Sequence, residues 1–371
     1  MTLDDPAPGS LDLRYGELEE ELRGTVRKLL AEQSPPDRVL ARCDRGDPYD
    51  PQLWRTLAVE MGLAGLAVPE RYGGGGGSLR EAAVVLEELG RSVAPVPYLG
   101  SAVVATAVLR AAGDSALLTE LATGAATAAL AVPFATGPAP ATEPTVAAER
   151  GALTGTVRGV VDALAADVLL VPAADGLYAV PAGADGLGRH PLVSLDLTRP
   201  LCDLTLAGAA GRRLAAGADT QRVVAAGLTA GAALLASEQL GVAQWCLEST
   251  VEYVRTRYQF GRPVGSFQAL RHRLADLWVE LAQARAVARH AAACVATGDP
   301  DTPVATALAQ AFCGPVAVHA AEECVQLHGG IGFTWEHPAH LYLKRAKSAA
   351  IGFGTADRHR ATLAGLVGLP L

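Results

Sequence analysis

The chain has 371 residues, of which 50% are hydrophobic and 19% are charged, and its formal net charge is −8. This length exceeds one ordinary hydrophobic core and predicts two or three packed domains. The negative charge argues against a nucleic-acid partner, and we find no breaker-free apolar run of about 18 residues that predicts a membrane span. Because residues 1–6 lack the basic-then-apolar order of a secretory signal, we expect a soluble, cytoplasmic protein.

The cysteines show neither CxxC spacing nor a histidine cluster, so no zinc site and no disulfide framework are indicated. We interpret them as small residues of the core, because a free cysteine behaves as a buried apolar side chain. They are Cys43, Cys202, Cys246, Cys294, Cys313 and Cys324.

The segment over residues 1–126 has the pattern of helices, since Leu18, Leu22, Val26 and Leu29 recur at three-to-four spacing. We therefore predict an α-helical N-terminal domain.

A run of glycines, residues 73–77, leads into the next helix of this domain. Ser78 and Glu81 have the spacing of a capping box, which predicts that this helix begins after Ser78. Glycines before a helix could hold a phosphate, but ordinary turn chemistry explains them as well, and we interpret the run as structural.

Over residues 127–219 the pattern changes to short apolar stretches broken by Gly and Pro, which predicts a small antiparallel β domain. Helical periodicity returns over 220–371, where Leu270, Leu274 and Leu277 form one stripe, and this predicts a C-terminal helical bundle. The fold class is therefore α+β, mainly α.

Three C-terminal segments resemble the C-terminal domain of the acyl-CoA dehydrogenase family. They are Arg257-Tyr-Gln-Phe-Gly-Arg-Pro263, Gln326-Leu-His-Gly-Gly-Ile-Gly-Phe333 and Ile351-Gly-Phe-Gly-Thr355. The domain order is also that of the family, so the resemblance implies an N-terminal helical domain, a middle antiparallel β domain and a C-terminal four-helix bundle. It further implies FAD as cofactor, oxidation of an acyl-CoA substrate to the 2-enoyl-CoA, and electron-transferring flavoprotein as acceptor.

Two of these segments match family segments that contact the FAD of a neighbouring subunit. By the resemblance, the first contributes Arg257, Gln259, Phe260 and Gln268, and the second contributes Gln326, Gly329 and Gly330. Arg257 could also simply complement the end of a helix, and the two glycines could form a helix C-cap.

Thr355 matches a family threonine close to the flavin of its own active site, although it could equally be the N-cap of the last helix. For His328 and His340 we expect structural roles, because no catalytic partner is visible in the sequence.

The catalytic base of the family is missing. In the family this last motif commonly reads Tyr-Glu-Gly-Thr, and its Glu removes the α-proton of the thioester; here Phe353 stands in that place. Some members carry the Glu on the first long helix of the C-terminal domain, at a position that matches Gly231, which is vacant too. Glu238, seven residues further along, is either a displaced base or a residue of the bundle interface. A general base typically contributes about 100- to 10,000-fold to a rate, so its absence is decisive.

The β domain also departs from the family, which usually has a Gly-Ser-Asp loop and a Trp-Ile-Thr triplet packed on the flavin ring. This chain has Phe134-Ala-Thr-Gly-Pro and Gly159-Val-Val-Asp162 at these places. We therefore expect that the chain does not hold a flavin ring itself, because stacking area and hydrogen bonds are both reduced.

Three hypotheses follow. The first is a non-catalytic subunit of a heteromeric (α2β2) acyl-CoA dehydrogenase, whose catalytic partner subunit carries the Glu, as in steroid side-chain degradation by actinobacteria. The second is a self-sufficient homotetrameric dehydrogenase that uses Glu238. The third is a redox-silent assembly protein without flavin chemistry.

Overall fold

The computed structural model describes residues 13–139 and 143–369. Helices form both ends of the described chain and strands form its middle, which confirms the α+β, mainly α class and the order helical, β, helical. Residues 1–12, which include those behind the expectation about a secretory signal, lie outside the described part. The domain limits at 126 and 219 stay predictions.

The described N-terminal part has six α-helices, two π-helices (Thr56–Glu60 and the buried Tyr98–Ala105) and two short 3-10 helices (Leu63–Gly65 and Glu70–Tyr72). The α-helices are α1 (Glu17–Gln33), α2 (Pro36–Arg45), α3 (Pro51–Arg55), α4 (Leu79–Arg91), α5 (Thr106–Ala112) and α6 (Ser115–Ala122). The capping box is confirmed, because the Ser78 amide donates to the Glu81 carboxylate at 2.7 Å and the Ser78 hydroxyl accepts from the Arg80 amide at 3.1 Å. These bonds satisfy amides that a helix start would otherwise leave unpaired.

The middle part has two four-stranded sheets, with strand orders β1-β4-β5-β8 and β2-β3-β7-β6. The strands are β1 (Ala128–Leu130), β2 (Val146–Glu149), β3 (Ala152–Val161), β4 (Val168–Ala173), β5 (Gly176–Pro181), β6 (Leu187–Pro191), β7 (Leu201–Ala210) and β8 (Arg212–Ala216). Pairing within both sheets is antiparallel, as predicted, except that β1 and β4 run parallel.

The C-terminal part is a bundle in which α7 packs against α8, α9 and α10. Its helices are α7 (Ala218–Thr256), α8 (Gln268–Thr297), α9 (Thr302–His328), α10 (Ala339–Ala349) and α11 (Ala356–Leu366), and a short hairpin of β9 (Tyr258–Gln259) and β10 (Arg262–Pro263) joins α7 to α8. Helix α7 also packs on α4 of the N-terminal part, so one hydrophobic core continues through both helical parts.

Two helical segments, Ala218–Thr256 and Thr302–Phe333, are long and apolar enough to cross a membrane by length and composition alone. In their most apolar stretches, 78% and 61% of the residues are buried inside the fold. The burial of the core helices of a bundle accounts for this composition, so it is weak evidence for a membrane span.

Helices α4 and α7 cross at two glycines, so that their backbones touch. A Cβ atom at Gly241 would overlap the carbonyl oxygen of Glu87, and one at Gly90 would overlap the carbonyl oxygen of Glu238. Only glycine allows this approach, because it has no side chain to separate the helices.

We expect Gly241→Ala to lower the free energy of unfolding by about 2 kcal/mol, because the added methyl group must push two packed helices apart. Urea denaturation measures this change. Gly365→Ala is the matched control, since a Cβ atom there meets nothing within 4 Å, and we expect it to leave stability unchanged or raise it by up to about 1 kcal/mol. Equal stability of the two variants would contradict the crossing geometry.

Candidate functional site

Phe353 lies in the turn between α10 and α11, and hydrogen bonds hold its backbone on both sides. Its amide donates to the carbonyl oxygen of Phe134 at 2.7 Å, and its own carbonyl oxygen lies 2.9 Å from Nε2 of His359. The residue has a positive φ of 55° and is 3% exposed. Position 353 is thereby tied directly to the loop that follows β1.

The Phe353 ring fills the space beside Gly231 on α7. A Cβ atom at Gly231 would lie 2.5 Å from Cζ of Phe353 and 2.8 Å from Cγ2 of Val104. The ring also meets Phe134 edge-on, with 5.5 Å between centroids and 72° between planes. Positions 231 and 353, which the resemblance matches to the two Glu positions of the family, are therefore neighbours in space, and the Phe353 ring occupies the space beside Gly231.

The cavity that remains between Phe353 and the β sheets measures only about 10 Å³. Its lining is apolar, and it consists of Gly100, Val104, Leu130, Val132, Pro133, Phe134, Val161, Leu228 and Phe353. A space of this size holds at most about one water molecule, and an apolar lining gives that water no partners. No carboxylate lines this space, and it has no room for a substrate.

Glu238 is buried and held between two guanidinium groups. It pairs with Arg199 and, at 3.2 Å, with Arg345, whose Nε also binds Asp196 at 2.9 Å. Burial favours the protonated form of Glu238, but the charges and hydrogen bonds of Arg199 and Arg345 outweigh it and hold the pKa of this carboxyl below its usual value. A carboxylate with a lowered pKa accepts a proton poorly. The ion pairs of Glu238 therefore fit a residue of the bundle interface better than a displaced catalytic base.

The segment that replaces the flavin-ring triplet serves the packing of this chain instead. The Gly159 amide donates to Asp203 at 2.8 Å, and Val161 is buried. Asp162 accepts from the Gly100 amide at 2.9 Å and from the Tyr49 hydroxyl at 3.1 Å, which joins β3 to the N-terminal helices. These groups are engaged in contacts within the chain, and Phe134 packs on Phe353. That the chain holds no flavin ring itself stays a prediction.

The first predicted cofactor segment projects from the fold at the junction of α7 and α8. Arg257 follows the last residue of α7, and Gln259 and Phe260 lie on the exposed β9–β10 hairpin. Phe260 is 89% exposed and has a positive φ of 54°, and Gln268 is exposed at the first residue of α8. The Phe260 ring meets the ring of Phe267 edge-on, with 6.2 Å between centroids.

The second predicted segment ends α9. Gln326 is exposed, and its carbonyl oxygen accepts the amide of Gly329, which has a positive φ of 63°. The C-cap alternative is therefore correct for Gly329, and a Cβ atom at Gly329 or Gly330 would meet nothing within 4 Å. A contact of these residues with FAD stays a prediction, and their open surroundings leave room for one.

Thr355 is the N-cap of α11, because its hydroxyl accepts from the Arg358 amide at 3.4 Å. Its contact with a flavin stays a prediction.

His328 and His340 have the structural surroundings that the sequence predicted. The buried His328 ring stacks on Tyr253 at 4.5 Å, and its Nδ1 lies 2.7 Å from the Cys324 carbonyl oxygen. The ring of His340 packs edge-on against Trp335, with 4.2 Å between centroids.

Five of the six cysteines are buried and Cys43 is half-buried, as predicted. Sequence reasoning missed the environment of Cys324, where hydrogen bonds with Cys246 and then with His328 lower the thiol pKa although burial opposes this. The i, i+4 spacing of Cys324 and His328 on one helix was the available signal.

Comparison with known proteins gives a consistent result over most of the chain. Residues 16–127 match the family described as acyl-CoA dehydrogenase, N-terminal domain, and residues 221–367 match acyl-CoA dehydrogenase, C-terminal domain. The chain is 39% identical over 338 residues to the acyl-CoA dehydrogenase IpdE2 of Mycolicibacterium smegmatis, covering 89% of this chain and 93% of that one.

Two solved structures with high similarity are assemblies named by two components. The ChsE4-ChsE5 complex from Mycobacterium tuberculosis has a TM-score of 0.85 at 29% identity and covers 97% of this chain and 100% of its own. A variant of the Tcur3481-Tcur3483 steroid ACAD has a TM-score of 0.84 at 31% identity and covers 96% and 99%.

Proposed function

Because this chain belongs to the acyl-CoA dehydrogenase family of FAD-dependent oxidoreductases, we propose that it is the non-catalytic subunit of a heteromeric member of that family. In this proposal a catalytic partner subunit supplies the Glu that removes the α-proton of an acyl-CoA, and this chain completes the partner's FAD site. The observation that carries the proposal is that neither position 231 nor position 353 has a carboxylate, and that the Phe353 ring packs on Gly231 so closely that a side chain at 231 would collide with it.

The exposed cofactor segments support a role toward another subunit. Arg257, Phe260 and Gln326 are exposed and lie outside the core of their own chain. Other large apolar side chains of the C-terminal part are exposed too, with Trp278 on α8 at 61% and Phe333 at 74%. Exposed aromatic residues of this kind are typical of a surface that a partner covers.

Two further points belong to the proposal. Because the chain resembles the ChsE4-ChsE5 and Tcur3481-Tcur3483 assemblies, we propose an α2β2 heterotetramer. One of these is named a steroid ACAD, so we propose a steroid-derived CoA thioester as the substrate. We also propose electron-transferring flavoprotein as the electron acceptor, as the family resemblance implies.

The direct test is to purify the chain alone and together with its catalytic partner. We expect the chain alone to oxidise no acyl-CoA and the complex to be active, with one FAD for each pair of unlike subunits. If the chain purified alone carries FAD and oxidises an acyl-CoA, the proposal is wrong. No FAD in any complex would favour the assembly-protein hypothesis.

We expect Arg257→Ala to weaken FAD binding by the complex about tenfold or more, because a charge-assisted hydrogen bond to the cofactor contributes about 1.5–3 kcal/mol. The flavin-to-protein ratio after extensive dialysis measures this loss without any activity assay. Arg255→Ala, two residues earlier at the end of α7 and also exposed, is the matched control and should retain FAD. Equal FAD loss in both variants would count against a specific role of Arg257.

A further inference from the structure

A polar pocket of about 370 Å³ lies between α1, α4, α7 and α8, remote from the apolar cavity at Phe353 and sharing no lining residue with it. Four arginines and two glutamates dominate its walls. The lining consists of Glu20, Arg23, Gly24, Arg27, Glu87, Gln244, Arg285 and Arg289.

The two arginines on α1 are paired with carboxylates. Arg23 binds Glu20, and Arg27 makes a two-pronged contact with Glu88 at 2.6 and 2.8 Å. Glu87 lies 3.6 Å from Arg23 and receives the Tyr15 hydroxyl at 3.3 Å. Burial raises the pKa of Glu87, and the charges of Arg289, Arg23 and Arg285 oppose that rise.

The two arginines on α8 form no close ion pair with a carboxylate in the described part of the chain, although both act on Glu87 at longer range. Arg285 and Arg289 are four residues apart and therefore lie on one face of the helix. Arg285 donates to the neutral side-chain oxygen of Gln244. Within residues 13–139 and 143–369, no carboxylate oxygen lies within 4 Å of either guanidinium group.

Arg289 also has an unused donor. Its guanidinium lies 3.7 Å from the centre of the Tyr15 ring, and one terminal nitrogen donates weakly to the Leu13 carbonyl oxygen at 3.4 Å. Its Nε is buried and has no hydrogen-bond partner in the described part of the chain. A buried charged donor without a partner is costly, so an acceptor bound there would be stabilised.

From these contacts we propose that the pocket binds a phosphate group between the guanidinium groups of Arg285 and Arg289. A phosphate has several acceptor oxygens and matches the two-pronged geometry of arginine, and the lining carries more positive than negative groups. The phosphate is either inorganic or part of a larger molecule such as coenzyme A, since both present the same acceptors. The proposal does not depend on the role of the chain in FAD binding.

Isothermal titration of the full-length protein with inorganic phosphate, at constant ionic strength and with acetate as comparison anion, tests this site. We expect saturable phosphate binding that falls about tenfold in Arg285→Gln and in Arg289→Gln, because each removes a charge-assisted contact. Arg222→Gln is the control, since Arg222 is exposed on α7 and pairs with Asp219 outside this pocket. Arg289→Lys keeps the positive charge but loses the planar, two-pronged donor geometry of arginine. We therefore expect its affinity for phosphate to lie between those of the wild type and Arg289→Gln.

A second titration with coenzyme A separates the two sources. If coenzyme A competes with phosphate and this competition is lost in Arg289→Gln, the site binds a phosphate group of the larger molecule. If phosphate binds and coenzyme A does not, the site binds the free ion. Absence of saturable phosphate binding up to about 10 mM would overturn the proposal, because contacts of this strength should give tighter binding. Unchanged binding by folded Arg285→Gln and Arg289→Gln, with circular dichroism as the check of folding, would overturn it as well.

Discussion

Replacing Phe353 with Glu should lower the free energy of unfolding by about 5 kcal/mol and restore no dehydrogenase activity. Loss of a buried phenyl ring costs about 3–5 kcal/mol, and an unpaired carboxyl in an apolar space adds to this. The ring is buried against Phe134 and Gly231, and the small cavity beside it has an apolar lining. Activity should not return, because the segment with Gly159 and Val161 still provides no flavin-ring contacts.

The most direct assay measures turnover by a complex of Phe353→Glu with a catalytic partner whose own base has been replaced. Any turnover by this complex must then arise in this chain. Phe333→Glu is the matched control for stability, since Phe333 is 74% exposed and its replacement should cost less than about 1 kcal/mol. Urea denaturation compares the two variants. Turnover by the Phe353→Glu complex would show that only the base is missing and that the chain's own site is otherwise intact.

Replacing Arg345 with Met should lower the free energy of unfolding by about 3–5 kcal/mol, because removing one member of a buried ion network leaves the others uncompensated. Arg345 is 1% exposed and contacts Glu238, Asp196 and the Thr198 hydroxyl, the last at 2.7 Å. These contacts join α10 to α7 and to the segment before β7. Loss of the guanidinium therefore affects all three parts of the interface.

Lys347→Met is the control on the same helix, because Lys347 forms an exposed ion pair with Glu322 at 2.7 Å. Such surface pairs contribute about 0–1 kcal/mol, and we expect a change within this range. Equal stability of the Arg345 and Lys347 variants would show that the buried network contributes nothing net.

The same network predicts how stability depends on pH. The pKa of Glu238 is lower in the native state than in the unfolded chain, so the unfolded state takes up the proton first as the solution is acidified. The stabilisation from Glu238 is therefore complete above its unfolded pKa and is lost as the pH falls toward the native value. Unfolding measured against pH should show a steeper acid decline in the wild type than in Glu238→Gln.

Much of the fold could be predicted because its signals are local. The capping box at Ser78 and Glu81, the leucine stripe of α8 and the short apolar stretches of the β part each lie within a few residues. The parallel pairing of β1 with β4 could not be predicted in this way, because apolar alternation indicates a strand but not the direction of its neighbour.

The sequence predicted which residue types occupy the candidate site, but it did not predict which of these residues contact each other. The sequence shows that positions 231 and 353 both lack a carboxylate, yet nothing local shows that the ring at 353 rests on the glycine at 231. Glu238 pairs with Arg199, 39 positions away, and with Arg345, 107 positions away, and Asp162 pairs with Gly100, 62 positions away. Such contacts depend on the packing of whole domains, for which a single sequence carries no signal.

The packing of Phe353 against Gly231 also bears on how such a chain could change over evolution. A Gly231→Glu change alone would collide with the aromatic ring, while a Phe353→Glu change alone would leave a hollow in the interior that no side chain refills. Each single step back toward a proton-abstracting enzyme therefore meets a steric or packing penalty. A base could therefore arise here only through coordinated changes at positions 231 and 353, because each single substitution meets its own packing penalty.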